Sequence, residues 1–246
     1  MYKKNYILVA VVMLVLLFVF SSCGSNTTSE REQSTRSTTP PATPLEVSIT
    51  GEIDHNTHTA GQSGTVIFNR FPANEKEFKE VREKIGREPH GAVALQLMAY
   101  EMYRRNADAG TACIELNNTI NNVNPAIDRL KQLFGSDQNY ARPYQIAAFI
   151  KGATPDNGYN PTQPYTIEVK VNDGREYDYS QDYQSNMLYL EVLTQGKDHG
   201  SETVYVVKTK KPDEPGDGEF FIVNNCPGVY SQVKPVSFEN PFNGLE

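Results

Sequence analysis

The side chains from which a reaction or a binding site could be built are few in kind. The chain holds four histidines, three cysteines and 30 acidic residues, with 14 tyrosines, 11 phenylalanines and no tryptophan. Asp54, His55 and His58 form a D-H-x-x-H cluster of the types that ligate zinc, which takes imidazole nitrogen and carboxylate oxygen. They sit in a polar stretch with no helix to hold them in register, so a solvated loop is the expected state. His90 follows Pro89 at a helix start and reads as part of a cap or a packed surface. Cys113 with His90 would be a nucleophile and base only if the thiol were a thiolate in an accessible, electropositive place. Ala112 and Ile114 flank it, so burial is expected instead.

G-x-S-x-G, H-E-x-x-H, Walker and G-x-G-x-x-G patterns are all missing from the sequence. Two carboxylates in one cleft could still hydrolyse a polymer, since distance in sequence says little about a folded pair. The run DGREYDYSQDY offers oxygen ligands to calcium but lacks the ordered spacing of an EF-hand, so it reads as a solvated turn. Tyrosine is the strongest remaining signal, because it joins a rigid apolar face to a polar tip. A cleft, if present, is expected near YARPYQ and NGYNPTQPY, where Arg142, Tyr144, Tyr159 and Tyr165 could converge. Half-buried sheet positions would explain the same tyrosines. No metal and no cofactor is expected.

The elements that must position these residues begin with an address. Lys3 and Lys4 precede an unbroken apolar run from Ile7 to Phe20, and Ser21, Ser22 and Cys23 follow. That run suits a signal-peptide core and is short of the ~20 residues that cross a bilayer comfortably. Phe-Ser-Ser-Cys resembles a bacterial lipoprotein box, with Phe20 where Leu is usual and Ser22 where Gly or Ala is usual. Cys23 is then the lipidated residue of the mature chain. An uncleaved anchor over Tyr6–Cys23 is the alternative, and both put the domain outside the cytoplasm. Cleavage after residue 22 removes Lys3 and Lys4 from 23 basic residues and none of the 30 acidic ones, taking the net charge from −7 to −9. An acidic domain gains nothing from anionic headgroups, so the lipid must hold it to the membrane. The same charge, with an isoelectric point near 5.2, excludes a nucleic-acid binder acting through a basic footprint.

Residues 23–64 are expected to be the lipidated N-terminus and a Ser/Thr/Pro-rich tether, within which Leu45, Val47 and Ile49 alternate with polar residues and suit one strand. Residues 65–246 are expected to form a single domain, long enough for a full core. Asn74 with Glu77 starts a helix whose Phe78, Val81 and Ile85 form a stripe, ending at Gly86. Pro89 starts a second helix, running to about Ala107 and apolar on most sides. A short helix over Cys113–Asn122, another from Asn124 to Gly135 and a last one from Pro143 to Gly152 complete the helical half. Strands follow over TIEVKV, Met187–Thr194, Thr203–Thr209 and Glu219–Asn224, with a short final one over Val229–Val236. Their short connections favour antiparallel pairing. The expectation is therefore an α+β domain, its N-terminal helical half packed on one face of a C-terminal antiparallel sheet of four or five strands. Cys113 and Cys226 would be a disulfide between the two halves or two buried thiols.

FNRFP at Phe68–Pro72, PHGAVALQLMAYEMYRRN, NYARPYQIAAFIKGATP, NGYNPTQPYTIEV and the C-terminal run from Lys208 to Phe238 are similar to an uncharacterised family of bacterial lipoproteins, catalogued as a domain of unknown function. The similarity covers nearly all of residues 65–245. It implies an exported, lipid-anchored single domain and carries no catalytic residue over. The expected function is a cell-envelope lipoprotein with a non-enzymatic binding role toward a protein, a peptide or a cell-wall component. A hydrolase acting on an envelope or extracellular polymer is the alternative.

Overall fold

The computed structural model describes residues 43–119, 123–210 and 219–237, all within a compact unit over Thr43–Glu246. The expected signal peptide, Cys23 and most of the tether lie outside the described residues.

Among the described residues seven strands pair antiparallel: β1 (Val47–Glu52), β2 (Ser63–Phe68), β3 (Tyr165–Val171), β4 (Asp178–Ser180), β5 (Ser185–Leu193), β6 (Ser201–Lys210) and β7 (Glu219–Asn225). Their order is β1-β2-β3-β5-β6-β7, with β4 on β5. The domain is α+β as expected, but the sheet is larger than four or five strands. It also starts before the helices, which are inserted between the neighbouring strands β2 and β3. The compact unit accordingly begins at Thr43, not at Thr65. The strand expected over Leu45, Val47 and Ile49 forms as the mostly exposed β1, whereas its partner β2, buried on one face through Val66 and Phe68, was not expected.

Among the described residues of the insertion are four α-helices: α1 (Glu75–Ile85), α2 (Pro89–Arg105), α3 (Ala107–Asn117) and α4 (Val123–Leu133). The Asn74 side chain caps α1 by accepting the Glu77 N–H at 3.0 Å. The Glu77 carboxylate reaches back one residue further than a capping box requires and accepts the Ala73 N–H. Gly86 ends α1 in right-handed geometry, so its role is close approach. A Cβ there would stand 2.7 Å from the Arg82 carbonyl oxygen and 3.1 Å from the Phe220 ring. Helix α2 is buried from Pro89 through Tyr103, and the sheet curls around it, with contacts to β2, β3, β6 and β7. Ile167, Val169, Leu188, Leu190, Val204 and Val206 supply the sheet's side of that core. Helix α3 starts six residues before the expected Cys113 because Asn106 caps it, accepting the Ala109 N–H.

Two expected elements are not formed. Residues 143–152 make turns and a single 3₁₀ turn (Ala147–Phe149) in place of a helix. Their polar groups are taken by other parts of the chain: Thr194 Oγ1 donates to the Ala148 carbonyl at 2.6 Å, and the Lys151 N–H donates to Thr166. Residues 229–236 make no strand, although Val229, Val233 and Val236 are all buried. Their spacing of four and three is not the period of two that a strand buries. The outer edge of β7 is covered, Gly86 accepting from the Phe221 N–H and Val223 accepting from the Thr119 N–H, which blunts a template for strand addition. Among the described residues no helix is long and apolar enough to cross a membrane.

Candidate functional site

A half-enclosed pocket of about 260 Å³ opens beside the C-terminal end of α2. Phe71, Tyr159 and Tyr165 give it aromatic walls, and Pro143, Pro161, Ala147 and Ile150 complete the apolar lining. Glu101, Arg104 and Asn160 are its polar members. Tyr165 opens β3, opposite Phe68 in the register, and the rings of Phe68, Phe71 and Tyr165 pack edge-on or tilted at 5.0–5.8 Å between centroids.

Tyr159 is held from three directions. Its ring stacks on Tyr144 at 4.9 Å and 15°, its hydroxyl donates to the Lys234 carbonyl at 2.9 Å, and its N–H donates to Thr154. Its φ of 54° follows the left-handed Gly158. Such backbone costs a non-glycine residue of order 1 kcal/mol and persists where surrounding contacts fix it. Burial, with the neighbouring Tyr144, pushes the Tyr159 hydroxyl up to about 12, so it remains a donor. Of the four residues expected to converge, Tyr159 and Tyr165 line the pocket and Tyr144 supports it from behind. Arg142 does not join them: its guanidinium donates to the Val233 and Ala141 carbonyls.

The charged side of the pocket was not foreseen. Arg104 donates through Nε and Nη2 to the two carboxylate oxygens of Glu101, at 2.9 and 2.6 Å, and Arg105 Nε stands 3.6 Å from the same carboxylate. Next to it, Arg70 and Glu77 form a two-pronged pair at 2.7 and 2.9 Å. The Arg70 guanidinium and the Ala73 N–H hold the Glu77 carboxyl down at about 2. The signal for this corner was available: Glu101 and Arg104 stand three apart at the end of an otherwise apolar helix, and Phe71 lies in the FNRFP run.

The remaining sequence candidates are placed elsewhere. Asp54 accepts the N–H groups of Asn56 and Thr57, His58 bonds the Asn172 carbonyl, and His55 packs on Phe221. No metal-holding group of His, Cys, Asp and Glu occurs among the described residues. In the DGREYDYSQDY run, Asp173 accepts from Gly61 and Asp178 pairs with Tyr189 and Arg175, and part of the run forms β4. Cys113 and Cys226 are not bridged. Both are buried free thiols, Cys113 against the Met102 sulfur and Cys226 against the Tyr100 hydroxyl. Burial pushes each thiol up to about 12, which keeps Cys113 from being a nucleophile.

One pairing absent from the sequence reading has the look of a dyad: Lys197 Nζ is 2.6 Å from Ser231 Oγ. The same ammonium donates to the Ser231 and Gln232 carbonyls and stands 3.4 Å from the Glu202 carboxylate. A lysine whose protons are all committed to oxygens cannot take the serine proton, so it is a tie between the β5–β6 turn and the C-terminal segment. A wider depression of about 550 Å³ over α1 is lined by Glu75, Lys76, Lys79, Glu80 and Glu83. Ion pairs at i,i+4 link these side chains along an exposed helix face, and nothing converges there.

No curated protein and no solved structure matches the chain. Residues 70–237 match a family described as a domain of unknown function, DUF6935. That span takes in all four helices, β3 to β7 and every residue lining the aromatic pocket, and the chain belongs to this family.

Proposed function

We propose that the protein is an exported, lipid-anchored binding protein, attached through Cys23, whose domain presents the Phe71–Tyr159–Tyr165 pocket to a ligand outside the cytoplasm. The observation that carries the reading is the pocket's composition. Three aromatic rings and two prolines surround a space the size of one ring-bearing group, and the lining includes a single carboxylate, Glu101. Both oxygens of that carboxylate are held by Arg104. Hydrolysis by the glycosidase route needs two carboxyls within about 5–9.5 Å of each other across the bond to be cut, whereas recognition needs rigid rings and a few placed polar groups. The apolar run Ile7–Phe20 followed by Ser-Ser-Cys supports the address.

A screen of small aromatic fragments by NMR tests the site: the resonances of Phe71, Tyr159 and Tyr165 should shift together. Shifts confined to other parts of the molecule would refute the assignment. Cell fractionation tests the anchor, with Cys23→Ser moving the protein from the membrane to the soluble fraction and ending incorporation of labelled palmitate. Membrane retention of that variant would refute it.

A further inference from the structure

We infer that the pocket takes an aromatic ring carrying a carboxylate one or two carbons away, as in an aromatic amino acid blocked at nitrogen or the aromatic C-terminal residue of a peptide. The inference rests on the binding reading above and names its ligand. Size sets the first limit, since about 260 Å³ lies just below the usual range of small-molecule pockets, ~300–1,000 Å³. The pocket therefore seats one ring and its linker.

Polarity sets the second limit. A sugar ring would bring several hydroxyls against Phe71, Tyr165, Pro143, Pro161, Ala147 and Ile150, and buried hydroxyls without partners are strongly disfavoured. A flat apolar ring loses nothing there and gains edge and face contacts with the aromatic walls.

Charge sets the third. Five charged groups meet at this corner: Arg70, Arg104 and Arg105 against Glu77 and Glu101. The excess is one positive charge, on a chain whose overall charge is −7, so a local cationic spot here runs against the background. Glu77 is taken up by Arg70 and Ala73, and Glu101 by Arg104. Arg105 spends Nη2 on the Pro72 carbonyl and Nε on the Glu101 carbonyl. Arg104 alone both lines the pocket and, among the described residues, keeps Nη1 uncommitted. An anion on the ligand can accept from that nitrogen without displacing Glu101. A cationic ligand would face the guanidinium and find both carboxylates already neutralised.

The absence of tryptophan from the chain gives a direct assay. Indole ligands can be excited beyond tyrosine absorption, so their anisotropy reports binding against a dark protein. N-acetyltryptophan, its neutral amide and tryptamine are titrated with the purified protein. The acid should bind about three- to fivefold more tightly than the amide, as a partly exposed charge pair provides, and tryptamine most weakly. Arg104→Gln should erase the acid's advantage while ring binding persists, and Arg104→Lys should restore part of it. Ala147→Leu, which fills the pocket and removes no partner, should abolish binding of all three.

Equal affinity for acid and amide, with both lost in Ala147→Leu, would overturn the carboxylate inference and leave the ring-binding reading intact. No binding by any of the three would overturn that reading itself. A peptide ending in tryptophan, with and without C-terminal amidation, separates the sources. Tighter binding of the peptide acid than of N-acetyltryptophan assigns the ligand to a chain end, and the reverse order assigns it to a small molecule.

Discussion

His90 sits at the second position of α2, fully buried, with its ring against Gly64 of β2: a Cβ on that glycine would lie 2.4 Å from the imidazole. Neither ring nitrogen has a hydrogen-bond partner among the described residues. Burial drives the group down from 6.5 to about 4, against a smaller opposing pull from the Thr50 backbone. The unfolded chain takes up a proton near pH 6.5, and the folded one not until about pH 4. Between those values the unfolded state binds more protons, so stability falls as pH falls, by about 1.4 kcal/mol per pH unit. The whole interval removes about 3 kcal/mol, against a typical total of ~5–15 kcal/mol for a domain. Above 6.5 the effect is absent, and below 4 it is complete.

His90→Leu isolates this effect, since leucine has similar bulk and leaves no buried nitrogen unpaired. Urea unfolding followed by circular dichroism, run on both proteins across pH 7 to 4.5, cancels every other titrating group in the difference. The variant should lie within about 1 kcal/mol of the parent at pH 7. Its advantage should then widen by roughly 1.4 kcal/mol for each pH unit below 6.5. A difference that stays constant over the range would refute the reasoning, because it would mean that the charged ring finds compensation inside the fold.

Three further outcomes follow from packing and polar contacts within the fold. Gly110→Ala places a Cβ 2.1 Å from the Tyr103 Cα, a backbone contact that cannot yield, so denaturant unfolding should show a loss of at least ~2 kcal/mol. Glu77→Gln should cost about 1 kcal/mol at neutral pH, reduced from the full shift because the pair is partly in water. The Glu77 carboxyl lies below its ordinary 4.5 at about 2, so that cost should shrink as pH falls through this window; a cost independent of pH would contradict the pairing. Buried Gln145 donates to the Val229 and Ser231 carbonyls and accepts from the Val233 N–H. Gln145→Leu should cost about 2–3 kcal/mol and raise amide exchange across residues 229–234, which an unchanged exchange pattern would contradict.

The legible parts of the fold are those where one face is buried at one period. Phe78, Val81 and Ile85 mark α1, the apolar surround of α2 marks it as central, and Ile167, Val169 and Val171 mark β3. Reading fails where burial is decided by partners distant in sequence. Residues 143–152 carry helix-compatible residues but give the Ala148 carbonyl to Thr194 and the Lys151 N–H to Thr166 of β3. Val47 and Ile49 show the alternation of a strand, yet nothing local reveals that β2 joins them to the main sheet. At the pocket, tyrosine density located Tyr159 and Tyr165. Arg142, one residue before the pocket-lining Pro143, leaves its turn on the other side, which spacing cannot show. The Glu101–Arg104 pair is visible in sequence but acquires meaning only when Phe71 and Pro161 are brought alongside.

The insertion of four helices between adjacent strands has a kinetic consequence. Phe68 must find Tyr165 across about a hundred residues, a contact of high order whose loop-closure entropy has to be met before the pairing gives anything back. Folding α1–α4 first draws the two ends together and shortens the effective loop. The β1–β2 hairpin, made early in synthesis, thus waits with Val66 and Phe68 uncovered until the helices and β3 exist. A rate-limiting step that joins β2 to β3 should be slowed by substitutions in the α2–α3 contact at Gly110 and hardly touched by those in the β5–β6 turn.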